Sequence, residues 1–121
     1  AAVLECPSEV QCCTDSYTVQ ETTNVKYGEG ALLSGSGTEE LMLDVYKPVG
    51  ANAPARFPVL INVHGGSFHP SSSKDEMSVK NECRQWARRG FLAIAIEYRR
   101  FGLEAGEDAL LAPVHDLLAA V

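Results

Sequence analysis

Pro58-Val59-Leu60-Ile61-Asn62-Val63-His64-Gly65-Gly66-Ser67-Phe68 is an apolar run that breaks abruptly into a histidine and two glycines. Apart from Asn62, the segment from Phe57 to Val63 is apolar on both faces, which predicts a central strand covered by helices on both sides. Residues without a Cβ directly after such a strand leave backbone N–H groups bare at an open edge, where they can receive negative charge. That is the layout of an oxyanion hole. A plain glycine turn joining strand to helix is the competing reading, but it does not explain two glycines following a histidine.

Downstream, Ser71-Ser72-Ser73-Lys74-Asp75-Glu76 offers cap hydroxyls and early carboxylates, and Val79, Cys83, Trp86 and Ala87 recur at helical spacing. Arg88-Arg89-Gly90 supplies a cationic last turn and a glycine stop. Phe91 to Ile96 reads as a second buried strand ending at Glu97-Tyr98-Arg99. From Asp108 to Val121 a further helix is predicted, with Leu111, Val114, Leu118 and Val121 along its apolar side. Upstream, Tyr17 to Tyr27 is rich in β-branched and aromatic residues and reads as a strand closed by Gly28 and Gly30. Leu41 to Tyr46 alternates as an antiparallel strand with one face covered, stopped by Pro48.

Strand, helix, strand, helix in this order predicts a right-handed βαβ unit with parallel strands, preceded by an antiparallel edge. The fold class expected is α/β: a mostly parallel central sheet with antiparallel N-terminal edge strands and helices on both faces. Reactive groups gather at the carboxyl ends of the strands in such sheets, and His64 to Phe68 sits at that edge.

Length and composition agree with one globular unit. The 121 residues are 45% hydrophobic and 21% charged. Sixteen acidic against ten basic residues give a net charge of -6, and the basic residues Arg84, Arg88, Arg89, Arg99 and Arg100 are interleaved with apolar and acidic ones, so no nucleic-acid partner is expected. No apolar run approaches the roughly 20 residues that a transmembrane helix needs. Residues 1 to 16 read as a cysteine-rich arm preceding residues 17 to 121, which are expected to be the N-terminal part of a domain that another segment or chain completes. Cys6, Cys12 and Cys13 crowd into a segment too polar to need them as core filling, which favours disulfides and a secreted, extracellular protein. Cys83 is either a further disulfide candidate or a free buried thiol. No histidine lies near the cysteine cluster and no metal-ligand spacing occurs, so neither a metal nor another cofactor is expected.

The succession Leu43-Asp44-Val45-Tyr46-x-Pro48, Val59 to Phe68 with its His64-Gly65-Gly66-Ser67, Arg89-Gly90-Phe91 and Glu97-Tyr98-Arg99 resembles the N-terminal half of an α/β-hydrolase of the carboxylesterase and lipase type. The resemblance covers residues 17 to 121. It implies ester hydrolysis, with a serine on a G-x-S-x-G elbow later in the chain and the acid and histidine later still. Glycine-serine-glycine occurs here only at Gly35-Ser36-Gly37, inside a turn, so no residue of this chain is expected in the catalytic triad. His64, His69 and His115 are not expected to be the catalytic base.

By the family pattern, Gly66 and Ser67 would supply the oxyanion-hole N–H groups, with Gly65 and His64 shaping the loop and Phe68 and His69 at the mouth of the site. Tyr98 and Arg99 would support the scaffold, Arg99 through an ion pair with Asp116 or Asp108. The expected partner is the C-terminal remainder of the same domain, on a separate chain or lost by truncation, and the expected substrate is a small-molecule or lipid ester. The alternative is a non-catalytic receptor or binding module, since Ser67, Ser71, Ser72 and Tyr98-Arg99-Arg100 are also similar to plant hormone receptors of this fold.

Overall fold

A computed structural model describes residues 17–121; the arm 1–16 and its Cys6, Cys12 and Cys13 lie outside the described residues. Four strands and two helices follow in the order β1 (Thr18–Ala31), β2 (Thr38–Val49), β3 (Val59–Val63), α1 (Met77–Arg88), β4 (Leu92–Ile96) and α2 (Asp108–Ala120), with a short 3₁₀ turn at Leu103–Ala105 before the last helix. The sheet order is β1-β2-β4-β3. β1 and β2 form an antiparallel hairpin, β4 runs antiparallel to β2, and β3 lies parallel to β4. The unit β3-α1-β4 is thus the expected parallel pair joined by a helix.

Both N-terminal strands are longer than their turn residues suggested. β1 continues through Gly28 and Gly30 because register shifts between Thr22 and Val25 and between Lys26 and Gly28 absorb the irregularity as bulges. β2 runs through Pro48, which faces Val19 of β1; the pairing of β2 with β4 covers only Leu43 to Tyr46, so no second neighbour needs the missing N–H. β2 is also covered on both faces rather than one: Leu41, Leu43, Asp44 and Tyr46 are all buried.

Side-chain alternation assigns the two helices to opposite faces. Ala93 and Ala95 of β4 and Tyr46 of β2 pack on Val79, Cys83 and Ala87 of α1. Ile94, Ile96 and Leu43 pack with Tyr98, Leu117 and Ala120 on the other side. The two inner strands are β2 and β4. β3, expected to be central, is at the edge of the described sheet, and Val59 and Val63 remain 57% and 46% exposed.

Two helix expectations are corrected. No side chain caps α1, whose N-cap is Glu76; the preceding serines bond within their own loop and to Glu97, the residue after β4, as described below. In α2 the expected apolar side is the exposed one, with Leu111 at 50% and Leu118 at 70%, while Ala109, Ala112, Pro113 and Asp116 are buried. The cause is Asp116. It receives the Arg99 backbone N–H at 2.7 Å and the Arg99 guanidinium at 2.7 and 3.0 Å, and that clamp sets the rotation of the helix. Arg99 also donates to Ala31 O and Ala112 O, so one side chain ties the segment after β4, α2 and the end of β1 together.

Among the described residues Cys83 is a free, buried thiol, and burial pushes its pKa up to about 11. Among the described residues no helix is long and apolar enough to cross a membrane.

Two substitutions probe this core. Asp116→Ala would leave the largely buried Arg99 guanidinium without its carboxylate, and urea unfolding should show a loss of about 3–5 kcal/mol. The Tyr46 hydroxyl is buried with no hydrogen-bond partner among the described residues. Tyr46→Phe should therefore melt at the wild-type temperature or above it, whereas Tyr46→Ala should cost about 3–5 kcal/mol.

Candidate functional site

Parallel pairing of β3 with β4 sets Val63 beside Ile96. The residues that leave the two strands, His64 and Glu97, therefore emerge side by side at the carboxyl end of the sheet. His64 Nε2 lies 2.7 Å from Glu97 Oε1, and Nδ1 lies 2.9 Å from Gly65 O. Its ring stacks on Tyr98 at 4.4 Å between centroids with 15° between planes, and the Tyr98 hydroxyl donates to His64 O at 2.6 Å. His64 is only 3% exposed.

Past His64 the backbone turns tightly. Gly66, Ser67 and Phe68 have φ of 122°, 52° and 60°, and the His69 N–H closes the turn onto Gly66 O at 2.9 Å. Two central residues with positive φ are the pattern of a type I′ turn, usually built from glycine or asparagine. Here it is built from serine and phenylalanine, at about 1–2 kcal/mol of strain per residue. The fold holds it in place. Phe68 O accepts from the Gly102 N–H at 3.1 Å, and the Phe68 ring meets Tyr98 edge-on at 6.5 Å. A Cβ on Gly66 would fall 2.2 Å from Ser72 Cβ, while Gly65 faces open space. Gly66 is thus the glycine the geometry demands.

Among the described residues none accepts a hydrogen bond from the N–H of Gly66 or Ser67. Both residues border a cleft of about 360 Å³, whose other walls are Val63, His64, Phe68, Tyr98 and the α2 residues Pro113, Val114 and Leu117. Free backbone donors beside an apolar hollow can bind a negatively charged oxygen more strongly than donors in open water. His69 is exposed on the loop beyond the turn, where its Nδ1 meets Ser71 Oγ at 2.8 Å. His115 is exposed on α2 and lines a separate depression with Arg99 and Asp108. Neither reaches His64, and Arg99 pairs with Asp116 rather than Asp108.

Glu97, Ser73, Lys74 and Asp44 carry much of the site's support, and sequence reasoning assigned them no part in it. Glu97 Oε2 accepts from Ser73 Oγ at 3.0 Å and from the Lys74 N–H at 3.2 Å. Lys74 then runs into the sheet to meet Asp44 Oδ1 and Asn24 Oδ1, both at 2.9 Å. Asn24 has φ 56° and occupies the first β1 bulge; its N–H also donates to Asp44. Burial works against the Lys74 charge, but the carboxylates of Asp44 and Asp75 outweigh it and hold the ammonium above its usual pKa range. The available signal was Asp44 itself, a carboxylate in an otherwise apolar strand, which calls for a buried cation.

Glu97 is shifted the other way. Burial alone would raise its pKa, but the His64 hydrogen bond, the Arg100 charge and the Lys74 N–H prevail and hold it below the usual 4.5. A depressed carboxylate contributes stability that is complete above the unfolded value and is lost as pH falls through the folded one. Below about pH 4.5, the melting temperature of the wild type should therefore fall more steeply than that of Glu97→Gln, as followed by circular dichroism.

The family model BD-FAE matches residues 43–121, well over half of the chain. No curated protein matches. Among solved structures, brefeldin A esterase, a bacterial homologue of human hormone-sensitive lipase, is similar over 99% of this chain and 29% of its own, with a TM-score of 0.62 and 22% identity. Esterase B from Lactobacillus rhamnosis is similar over 84% of this chain and 28% of its own, with a TM-score of 0.61 and 22% identity. The chain spans less than a third of the length of either esterase. These likenesses show a shared fold, and the family match places the chain: it belongs to the BD-FAE family and has an α/β-hydrolase fold.

Proposed function

We propose that this chain is the N-terminal portion of a secreted serine carboxylesterase or lipase-like hydrolase, in which the loop from His64 to Phe68 supplies the oxyanion-hole donors. The observation that carries the reading is the pair of Gly66 and Ser67 N–H groups, without an internal acceptor and bordering an apolar cleft. A serine from the remaining segment of the domain attacks the ester carbonyl carbon. The histidine of that segment takes the serine proton, and the carbonyl electron pair moves onto oxygen and is held by the two amides. Collapse expels the alcohol with the proton returned by the histidine, and water then cleaves the acyl-enzyme to release the acid and restore the serine. The cleft walls suit an acyl chain or an apolar alcohol, hence a small-molecule or lipid ester.

His64 is not the base. It is buried, and its ring nitrogens face Glu97 and Gly65 O rather than the cleft. Gly65 and His64 shape the loop, Phe68 and His69 stand at its mouth, and Tyr98, Arg99 and Asp116 support it from below. The nucleophile, acid and catalytic histidine belong to the remaining segment, which is the chain's partner. Secretion is supported by the crowding of Cys6, Cys12 and Cys13 in a polar stretch.

Intact mass of the purified protein, with sequencing of any co-purifying polypeptide, should reveal a segment bearing G-x-S-x-G and a late histidine. That segment should label with a fluorophosphonate, and its failure to label in folded protein would favour a binding-only member of the fold. In the complete hydrolase, Gly66→Ala should lower kcat for a p-nitrophenyl ester by about 10²–10³-fold through displacement of one donor. Gly65→Ala should cost less, because its Cβ meets nothing within 4 Å.

A further inference from the structure

The turn from Gly66 to His69 costs strain, yet among the described residues the hydrogen bonds that fasten it directly are His69 N–H to Gly66 O and Gly102 N–H to Phe68 O. What holds the two ends of the surrounding loop is a carboxylate that touches neither Gly66 nor Ser67. We propose that Glu97 is the positioning residue of the oxyanion loop: one carboxylate oxygen fixes the entry through His64, and the other fixes the exit through Ser73 and Lys74. This rests on the reading of the Gly66 and Ser67 amides as oxyanion donors.

The two oxygens divide the task. Oε1 takes His64 Nε2 at 2.7 Å, with Arg100 Nε at 3.4 Å from the same oxygen. Oε2 takes Ser73 Oγ and the Lys74 N–H. His64 begins the loop, and residues 73 and 74 end it before α1. Between these points Ser72 Cβ and Oγ occupy the space that a Gly66 side chain would need, and the Ser72 hydroxyl is tied to His69 O at 2.8 Å. Moving either end therefore moves the surface against which Gly66 is packed. Arg100 reinforces the same loop by donating to Pro70 O at 3.0 Å.

A carboxylate suits this position because every partner on both oxygens is a donor or a cation. Glutamine has nearly the same shape but loses the charge and puts an NH2 against Arg100 on one side or against Ser73 and the Lys74 N–H on the other. Glu97 does not line the cleft, so it has no contact with the reacting atoms. Its effect should fall on the stabilisation of the transition state rather than on substrate binding.

The test uses the complete hydrolase with a p-nitrophenyl ester and, as a tetrahedral mimic, a trifluoromethyl ketone. Glu97→Gln should lower kcat about tenfold and Glu97→Ala about 10²-fold, by analogy with the loss seen when groups that orient metal ligands from behind are removed. KM should stay near the wild-type value, and ketone affinity should weaken by the same factor as kcat/KM. If Glu97→Ala fails to fold, the near-isosteric glutamine variant decides alone. Unchanged kcat and ketone affinity in folded Glu97→Gln, or a rise in KM at constant kcat, would overturn the assignment while leaving the esterase reading intact. A wild-type hydrolase that neither turns over esters nor labels with a fluorophosphonate would overturn both.

Discussion

The parallel register that seats Val63 next to Ile96 is the constraint on which the site depends. It requires β3 and β4 to end level, so the histidine leaving one strand meets the glutamate leaving the other. Most of what surrounds the loop follows from that meeting. The His64 ring, held by Glu97, offers a flat face for Tyr98 to stack on, and the Tyr98 hydroxyl in turn holds His64 O at the start of the turn. A shift of one residue in β4 would place Tyr98 where Glu97 stands and send the carboxylate to the opposite face of the sheet.

Charge in a small, half-open domain is tolerated here because it is paired and shared. Three ionic clusters mark three joints. Arg99 with Asp116 joins the segment after β4 to α2, Glu97 with His64 and Arg100 joins the residues that leave β3 and β4, and Lys74 with Asp44 joins the loop before α1 to β2. Buried pairs of this kind contribute little net stability compared with apolar packing, but removing one partner is costly. They specify geometry more than they add energy. The distinction matters for a turn with two non-glycine residues at positive φ, because such a turn persists only where its surroundings leave no other conformation.

Much of this was legible in the chain itself. Two apolar runs, Val59 to Val63 and Leu92 to Ile96, flank an amphipathic stretch with Val79, Cys83 and Ala87 on one side, and local pattern is enough to make them strand, helix and strand. The misreadings share a cause. Gly28, Gly30 and Pro48 read as stops because their local preference is against strand, yet pairing partners and bulges carry the strands through them. Ser71 to Ser73 have the composition of a helix cap, but Glu97 and His69 O compete for their hydroxyls and win Ser73 and Ser72. In α2 the leucines suggested the buried side, and a single aspartate reversed it.

The amino-acid sequence by itself determined the βαβ order, the antiparallel hairpin before it and the position of a glycine-rich loop at the carboxyl end of a strand, because these rest on hydrophobic period and on the absence of a Cβ, both of which are local. Only the tertiary structure decided that β4 lies between β2 and β3, that Gly66 rather than Gly65 is the sterically required glycine, and that Glu97 sits beneath the loop. Those outcomes depend on contacts such as Glu97 with His64, 33 residues apart, and Lys74 with Asn24, 50 apart. No local pattern records which distant donor a carboxylate will meet, because strand register and helix rotation settle that together.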